Sequence, residues 1–133
     1  MTKPIQTAML IDDEEFDQRA YQRVIERSGL VETILCFDMA EDALDHLRQH
    51  PDLVVDVIFL DINMPSMNGF DFLEVASKEF PTGFAKIVVA MLTTSLNPGD
   101  EEKARSYDAV KAFINKPLTT EKVEEVAALL PRD

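Results

Sequence analysis

The amino-acid sequence predicts an α/β fold built around a mainly parallel sheet, and two patterns indicate it. Five short apolar runs alternate with amphipathic segments, as in repeated βα units. The central run, Val54 to Leu60, is apolar almost throughout, which is typical of a strand covered on both faces. Because 133 residues with 46% hydrophobic content suit one domain with a sizeable core, we expect a single domain over residues 1–133, with its core at about 7–130.

The first two βα units are predicted from periodicity and from helix-end signals. Strand one is expected at Thr7 to Asp12, and its helix runs from about Glu15 to Ser28, ending at Gly29. The apolar face of that helix is predicted at residues four apart, namely Phe16, Ala20 and Val24. Strand two is expected at Glu32 to Phe37. Asp38 and Glu41 have the spacing of a capping box, opening a helix that buries Ala40, Ala43, Leu44 and Leu47.

The remaining three units follow the same logic. Strand three is Val54 to Leu60, and its helix buries Phe70, Leu73, Ala76 and Phe80. Strand four is Lys86 to Leu92, after which Asn97 can cap a helix with Pro98 in its first position. Strand five is Lys111 to Asn115, and the last helix buries Val123, Val126, Ala127 and Leu130. The fourth helix has few apolar anchors, chiefly Ala104 and Tyr107, so we expect it to move at low cost.

Composition excludes several classes of function. A formal net charge of −12 would repel nucleic-acid backbones and anionic membrane surfaces, so we expect neither as a partner. No apolar run approaches the length of a membrane span, and the N-terminal region lacks the apolar block of a signal peptide. The single cysteine, Cys36, reads as a small core residue and cannot form an internal disulfide. These features predict a cytoplasmic protein.

Polar side chains stand where the predicted strands end, and in open α/β sheets ligands bind at that edge. The residues concerned are Asp12, Asp13, Asp61, Thr93, Thr94 and Lys116. Carboxylates that crowd together raise one another's pKa unless a cation joins them, and an all-oxygen, half-open site suits Mg²⁺. A carboxylate beside Mg²⁺ can accept a phosphoryl group, with the lysine and a threonine holding the phosphoryl oxygens.

Plainer interpretations of these residues stay open at this point. Each Asp at a strand end can serve only as a turn or helix cap, and Phe113 can be a simple strand residue in the core. His46 and His50 are four apart on the second helix and could bind a soft metal, although no third ligand is near in sequence.

Four segments at consistent spacing carry a resemblance to a known family. "LIDDEE", "VIFLDINMPSMNGFDFL", "VVAMLTTS" and "AFINKPL" together resemble the receiver domain of response regulators in bacterial two-component signalling, from Met9 to about Leu130. The resemblance implies a flavodoxin-like, doubly wound (βα)5 fold, with a five-stranded parallel sheet of order 2-1-3-4-5 and helices on both faces. It also implies a signalling protein rather than an enzyme. Because almost no residues follow the last predicted helix, we expect no attached effector domain.

The resemblance assigns roles by position. Asp61 matches the phosphoacceptor, and Mg²⁺ is expected at Asp12, Asp13, Asp61 and the backbone carbonyl of Asn63. Lys116, with a cis bond to Pro117, and Thr93 match the groups that hold the phosphoryl oxygens. Phe113 matches the aromatic switch. A longer loop after strand four loosens the alignment there, so Thr94 is the alternative to Thr93.

The implied partners are a sensor histidine kinase or histidine phosphotransfer protein as donor, and a downstream protein bound through strand four, helix four, strand five and helix five. A second copy of the chain is a further candidate partner. Two alternatives remain: a degenerate receiver that only docks partners, and an aspartate-based phosphatase, whose usual D-x-D motif after strand one is absent from "IDDEEF". A flavin-nucleotide binder is disfavoured because clustered carboxylates repel phosphate without a metal.

Overall fold

Five parallel strands form one sheet in the spatial order β2-β1-β3-β4-β5. The computed structural model describes residues 3–131. The strands are β1 (Ile5–Ile11), β2 (Val31–Phe37), β3 (Val57–Asp61), β4 (Val88–Thr93) and β5 (Val110–Asn115). Neighbouring strands pair in parallel throughout, and the predicted order 2-1-3-4-5 is confirmed. The order reverses at β1 and β3, so the edge beyond their carboxyl ends is where a ligand site is expected.

Helices cover both faces of the sheet. They are α1 (Glu15–Ser28), α2 (Ala40–Gln49), α3 (Gly69–Glu79), the single turn α4 (Pro81–Phe84), α5 (Pro98–Arg105) and α6 (Thr120–Ala127). Helices α1 and α6 pack on one face, and α2, α3 and α5 pack on the other. The fourth and fifth predicted helices are therefore α5 and α6, since α4 was not predicted. Within residues 3–131, no helix combines the length and apolarity needed to cross a bilayer.

The alternation of side chains along the strands explains the two layers. In β1, Met9 and Ile11 enter the cluster shared with α2 and α3, while Ala8 and Leu10 enter the cluster shared with α1 and α6. Every residue of β3 is buried, as predicted for a central strand. Burying one large aliphatic side chain contributes roughly 1.5–3 kcal/mol relative to leaving it exposed. This double burial holds the strand ends, and the polar residues on them, in fixed positions.

Helix ends near the site use recognisable caps. Asn68 and Asp71 form a reciprocal capping box at the start of α3. Asn97 caps α5 by accepting a hydrogen bond from the backbone N–H of Gly99, and Pro98 occupies the first helical turn, as predicted. Gly29 ends α1 with φ of 71°, a left-handed conformation that suits glycine.

Predicted strand boundaries differ from the observed ones by at most three residues, and the largest difference is at the start of β3. The prediction that strand three begins at Val54 is wrong: Val54 is 64% exposed and the strand begins at Val57. The physical reason lies in Asp56, whose side chain accepts hydrogen bonds from the backbone N–H groups of Gln6 and Thr7. These hydrogen bonds attach Asp56, the residue before β3, to β1. Residues 53–55 precede this attachment and lie outside the sheet.

Two helix predictions were also wrong. The Asp38–Glu41 capping box does not form, because α2 is preceded by Met39 at the capping position, without a side-chain cap. Phe16 does not lie on the buried face of α1: it is 77% exposed, and Ala20 and Val24 are only partly buried. The buried residues of α1 are Tyr21 and Ile25. The buried stripe of α1 is therefore displaced by one residue from the predicted stripe. The four-residue spacing fits both stripes and could not distinguish them.

The last apolar residues predicted for two helices lie just beyond the helix ends. Helix α3 ends at Glu79, and Phe80 follows as its C-cap. Helix α6 ends at Ala127, so Leu130 lies outside it, partly buried against the cluster under α1 and α6. Both side chains still cover the core, because apolar burial does not require helical backbone.

Candidate functional site

The carboxyl ends of β1, β3, β4 and β5 carry the predicted site residues. Asp12 follows β1, Asp61 ends β3, Thr93 ends β4 and Lys116 follows β5. Parallel pairing places these four residues at the same height along the sheet. Asp61 is in register with Leu92, and the N–H of Lys116 donates to the carbonyl of Thr93 over 2.8 Å. Residues far apart in the sequence therefore meet at one edge, as predicted.

Three carboxylates form a compact cluster at this edge. Asp12, Asp13 and Asp61 each offer an oxygen, and these oxygens lie within 4.8 Å of one another. Asp12 is fully buried, Asp61 is 5% exposed and Asp13 is exposed. The donors are all oxygens and one side of the cluster faces solvent, which fits a hard cation that keeps part of its water shell. The residues present therefore fit Mg²⁺.

Lys116 lies against this cluster and balances part of its charge. Its ammonium nitrogen is 3.0 Å from Asp12 Oδ2 and 3.4 Å from Asp61 Oδ1. The side chain of Lys116 is only 10% exposed, and its Nζ also sits 5.7 Å from the ring centroid of buried Tyr21. The bond between Lys116 and Pro117 is cis, as the resemblance implied.

Asp17 is a residue of the site that sequence reasoning missed. Its Oδ2 lies 2.9 Å from Lys116 Nζ, the shortest of the three lysine–carboxylate distances. In the sequence, Asp17 is one more acid in the first turn of a helix, where acids are common because the helix dipole favours them. Only the packing of α1 beside the end of β5 reveals its partner.

Burial and mutual repulsion perturb the pKa values of the site. Burial, together with the nearby charge of Asp12, raises the pKa of Asp61 to about 7, although Lys116 opposes the shift. The pKa of Asp12 is also raised, chiefly by burial, although hydrogen bonds from the backbone of Glu14 and from Lys116 oppose the shift. A bound cation would relieve both carboxylates.

The pKa of Lys116 moves the opposite way from what burial alone dictates. Burial by itself lowers it, but hydrogen bonds to Asp17 and Asp12 outweigh that effect and raise the pKa above its ordinary value. Lys116 is therefore a firmly charged ammonium at neutral pH, surrounded by acceptors.

The two candidate threonines differ in their environments. Thr93 is fully buried at the end of β4, and its Oγ1 accepts a hydrogen bond from the N–H of Ser95 over 2.9 Å. Its own O–H is left as a donor. Thr94 is exposed and follows the strand. The buried strand-end position favours Thr93 as the hydroxyl of this edge.

The other predicted residues lie around the cluster or away from it. Asn63 lies in the loop after β3 with an exposed side chain. Phe113, on β5, is half-buried and packs against the cluster under α3 and α5. His46, on α2, and His50, which follows that helix, stack with ring centroids 4.1 Å apart, and His50 Nδ1 contacts the carbonyl of His46. The carboxylate cluster that includes Asp61 contains neither histidine.

Close packing fixes the loop that follows Asp61. Gly69 begins α3 directly against β3: a Cβ at this position would lie 2.7 Å from the backbone oxygen of Asp61. The N–H of Gly69 also donates to the carbonyl of Ile62 over 2.9 Å. Glycine is needed here because its lack of a side chain lets the helix approach the phosphoacceptor candidate so closely.

The chain resembles known proteins over nearly its full length. Residues 8–128 match the family model described as the response regulator receiver domain. A crystal structure of a two-component response regulator from Cytophaga hutchinsonii superposes with a TM-score of 0.87 at 28% identity, covering 93% of this chain and 95% of that one. A response regulator receiver protein from Dyadobacter fermentans gives a TM-score of 0.80 at 30% identity, covering 91% and 94%.

A curated relative places a similar segment inside a much larger protein. The sensory/regulatory protein RpfC of Xanthomonas campestris is 28% identical over 120 residues, which is 90% of this chain but 16% of that protein. The similarity therefore concerns one domain of RpfC, and the activity of the whole relative does not transfer with it.

Proposed function

Since the chain belongs to the response regulator receiver family of two-component signalling, we propose that Asp61 accepts a phosphoryl group from a phosphohistidine of a sensor kinase or phosphotransfer protein. The observation that carries this proposal is the meeting of Asp61 with Asp12, Asp13 and Lys116 at one sheet edge. Receivers are signalling modules, so the expected product is a modified protein and not a released metabolite.

In the proposed step, an ionised oxygen of Asp61 attacks the phosphorus in line with the bond to the donor imidazole. A P–O bond forms, the P–N bond breaks, and its electron pair returns to the imidazole nitrogen, which takes up a proton. Lys116 donates to one phosphoryl oxygen and the free O–H of Thr93 to another. Mg²⁺ held by Asp12, Asp13, Asp61 and the carbonyl of Asn63 would supply charge neutralisation for the phosphoryl oxygens.

We propose that the output is a change in protein binding through β4, α5, β5 and α6. Helix α5 buries only Ala104 against the core, so its position can respond to added charge at a low energetic cost. Phe113, half-buried beside it, is the proposed aromatic switch. A downstream protein or a second copy of this chain would bind there, and the net charge of −12 disfavours nucleic acid. That residues 1–133 form one domain stays a prediction.

The test is phosphorylation by a small donor. The protein is incubated with phosphoramidate and MgCl₂, and intact-mass spectrometry follows the gain of one phosphoryl group that is stable to acid and labile to base. We expect the gain in the wild type and in Asp52→Asn, an exposed-site control, and its loss in Asp61→Asn or with EDTA.

Each alternative gives a different result in this assay. A docking-only receiver would show no gain at any donor concentration. When a phosphate monoester replaces phosphoramidate in the assay, an aspartate-based phosphatase would release phosphate from it continuously. Modification retained in Asp61→Asn would assign the acceptor to another residue and overturn the proposal.

A further inference from the structure

Three carboxylates surround the ammonium of Lys116 at unequal distances before any phosphoryl group arrives. An ammonium carries three N–H groups. Two make hydrogen bonds of 3.0 Å to Asp12 and 2.9 Å to Asp17, while Asp61 lies farther away at 3.4 Å. A contact of 3.4 Å is longer than a well-formed N–H···O bond. Lys116 is thus held more tightly by Asp12 and Asp17 than by the proposed acceptor.

Of these two tighter contacts, the one to Asp17 is the easier to break. Asp12 has no exposed side-chain surface, and its other oxygen already accepts the N–H of Glu14 over 2.9 Å. Asp17 lies on the outer side of the lysine with 27% of its side chain exposed. Losing a lysine partner leaves a buried carboxylate without compensation, whereas a partly exposed one regains water.

We propose that Asp17 is a positioning residue: it draws Lys116 away from Asp61 in the resting state, and its contact with Lys116 weakens when a phosphoryl group on Asp61 takes up a lysine donor. This inference rests on the function proposed above. Asp17 then sets the balance between the two states, because its contact with Lys116 is stronger in the resting state than in the phosphorylated one. Weakening that contact favours the phosphorylated form.

The predicted effect follows from the difference between charged and neutral acceptors. Asp17→Asn keeps the shape of the side chain and can still accept a hydrogen bond, but a neutral acceptor holds an ammonium less strongly. For a partly exposed ion pair the difference corresponds to an increase of about two- to fivefold in affinity for a phosphoryl mimic. Asp17→Glu restores the charge and should return the affinity close to that of the wild type.

The experiment measures beryllofluoride binding in the presence of MgCl₂ by titration, using ¹⁹F NMR and amide NMR spectra. Beryllofluoride is used because it occupies the place of a phosphoryl group on a carboxylate without turnover. The matched control is Glu14→Gln. Glu14 lies three residues before Asp17, and the substitution removes one negative charge from its exposed side chain. The amide spectra also report whether each variant is folded.

The outcomes separate this inference from the proposed function. No binding by the wild type overturns the proposed function itself. The role of Asp17 is supported if the wild type binds beryllofluoride and Asp17→Asn binds it more tightly. The affinity of Asp17→Glu should then match that of the wild type, and the affinity of Glu14→Gln should lie within about twofold of it. Equal effects of Asp17→Asn and Glu14→Gln would mean that only net charge matters, and Asp17→Asn without any gain would mean that its contact does not restrain Lys116. Either result overturns the inference.

Discussion

Neutralising Asp61 should stabilise the metal-free protein at neutral and alkaline pH. Burial and the charge of Asp12 raise the pKa of Asp61 to about 7, from the usual value of about 4 for an aspartate. Between these values the folded state binds more protons than the unfolded state, so stability falls as pH rises from about 4 to about 7. Below that window both states are protonated and the penalty vanishes; above it the penalty is complete.

The magnitude follows from the shift. About three pKa units correspond to about 4 kcal/mol at 1.36 kcal/mol per unit. Because Asp61 titrates together with Asp12 and Lys116, we expect about 2–4 kcal/mol at pH 8, and less than half of that at pH 5. Asp61→Asn mimics the protonated side chain, so its stabilisation over the wild type should grow between pH 5 and pH 8 by more than half of that amount.

The assay is urea unfolding, followed by circular dichroism in EDTA at pH 5, 6, 7 and 8, for the wild type, Asp61→Asn and Asp52→Asn. Asp52 is exposed, so its neutralisation should change the free energy of unfolding little at any pH. A difference between Asp61→Asn and the wild type that stays constant from pH 5 to pH 8 would refute the reasoning. It would mean that the carboxylate of Asp61 is not destabilised by its surroundings.

Three further predictions concern the same edge of the sheet. Gly69→Ala should lower the free energy of unfolding by about 1–3 kcal/mol in urea titrations, because a Cβ would lie 2.7 Å from the carbonyl oxygen of Asp61. Gly83→Ala is the control and should not destabilise the protein, because a Cβ there would meet nothing within 4 Å. Similar free energies for the two variants would contradict the close approach at Gly69. MgCl₂ should raise the Tm of the wild type in thermal scans and raise that of Asp13→Asn less; an equal rise would exclude Asp13 as a ligand. Asn68→Ala should cost about 1 kcal/mol through loss of the α3 cap, and a cost near zero would show that the cap is not needed.

Much of the site could be predicted because its chemistry is concentrated in residues adjacent to strands. The runs ending at Asp12, Asp61 and Thr93 are strongly apolar, so their strand character and the position of their ends are visible from the sequence. Parallel strands bring such ends to one edge whatever the separation along the chain. That is why Lys116 was expected beside Asp61, and the distance of 3.4 Å agrees.

Predictions failed where several arrangements satisfy the same local pattern. Phe16 and Tyr21 both fit an amphipathic helix, and the orientation of α1 against the sheet selects Tyr21. Asp38 has cap spacing, yet the path from β2 into α2 puts Met39 at the capping position. The exposed turn around Val54 looks like strand because β-branched residues are frequent in both buried and edge positions.

By itself, the sequence determined the α/β class, the five strands and the group of acids and one lysine at their carboxyl ends, because apolar periodicity and strand direction are local properties. Only the tertiary structure decided which carboxylates share Lys116. Asp17 became part of the site through the packing of α1 beside the end of β5, 99 residues along the chain. A contact of that kind depends on how a helix is rotated on a sheet, and the free energy that sets this rotation is summed over the whole buried face.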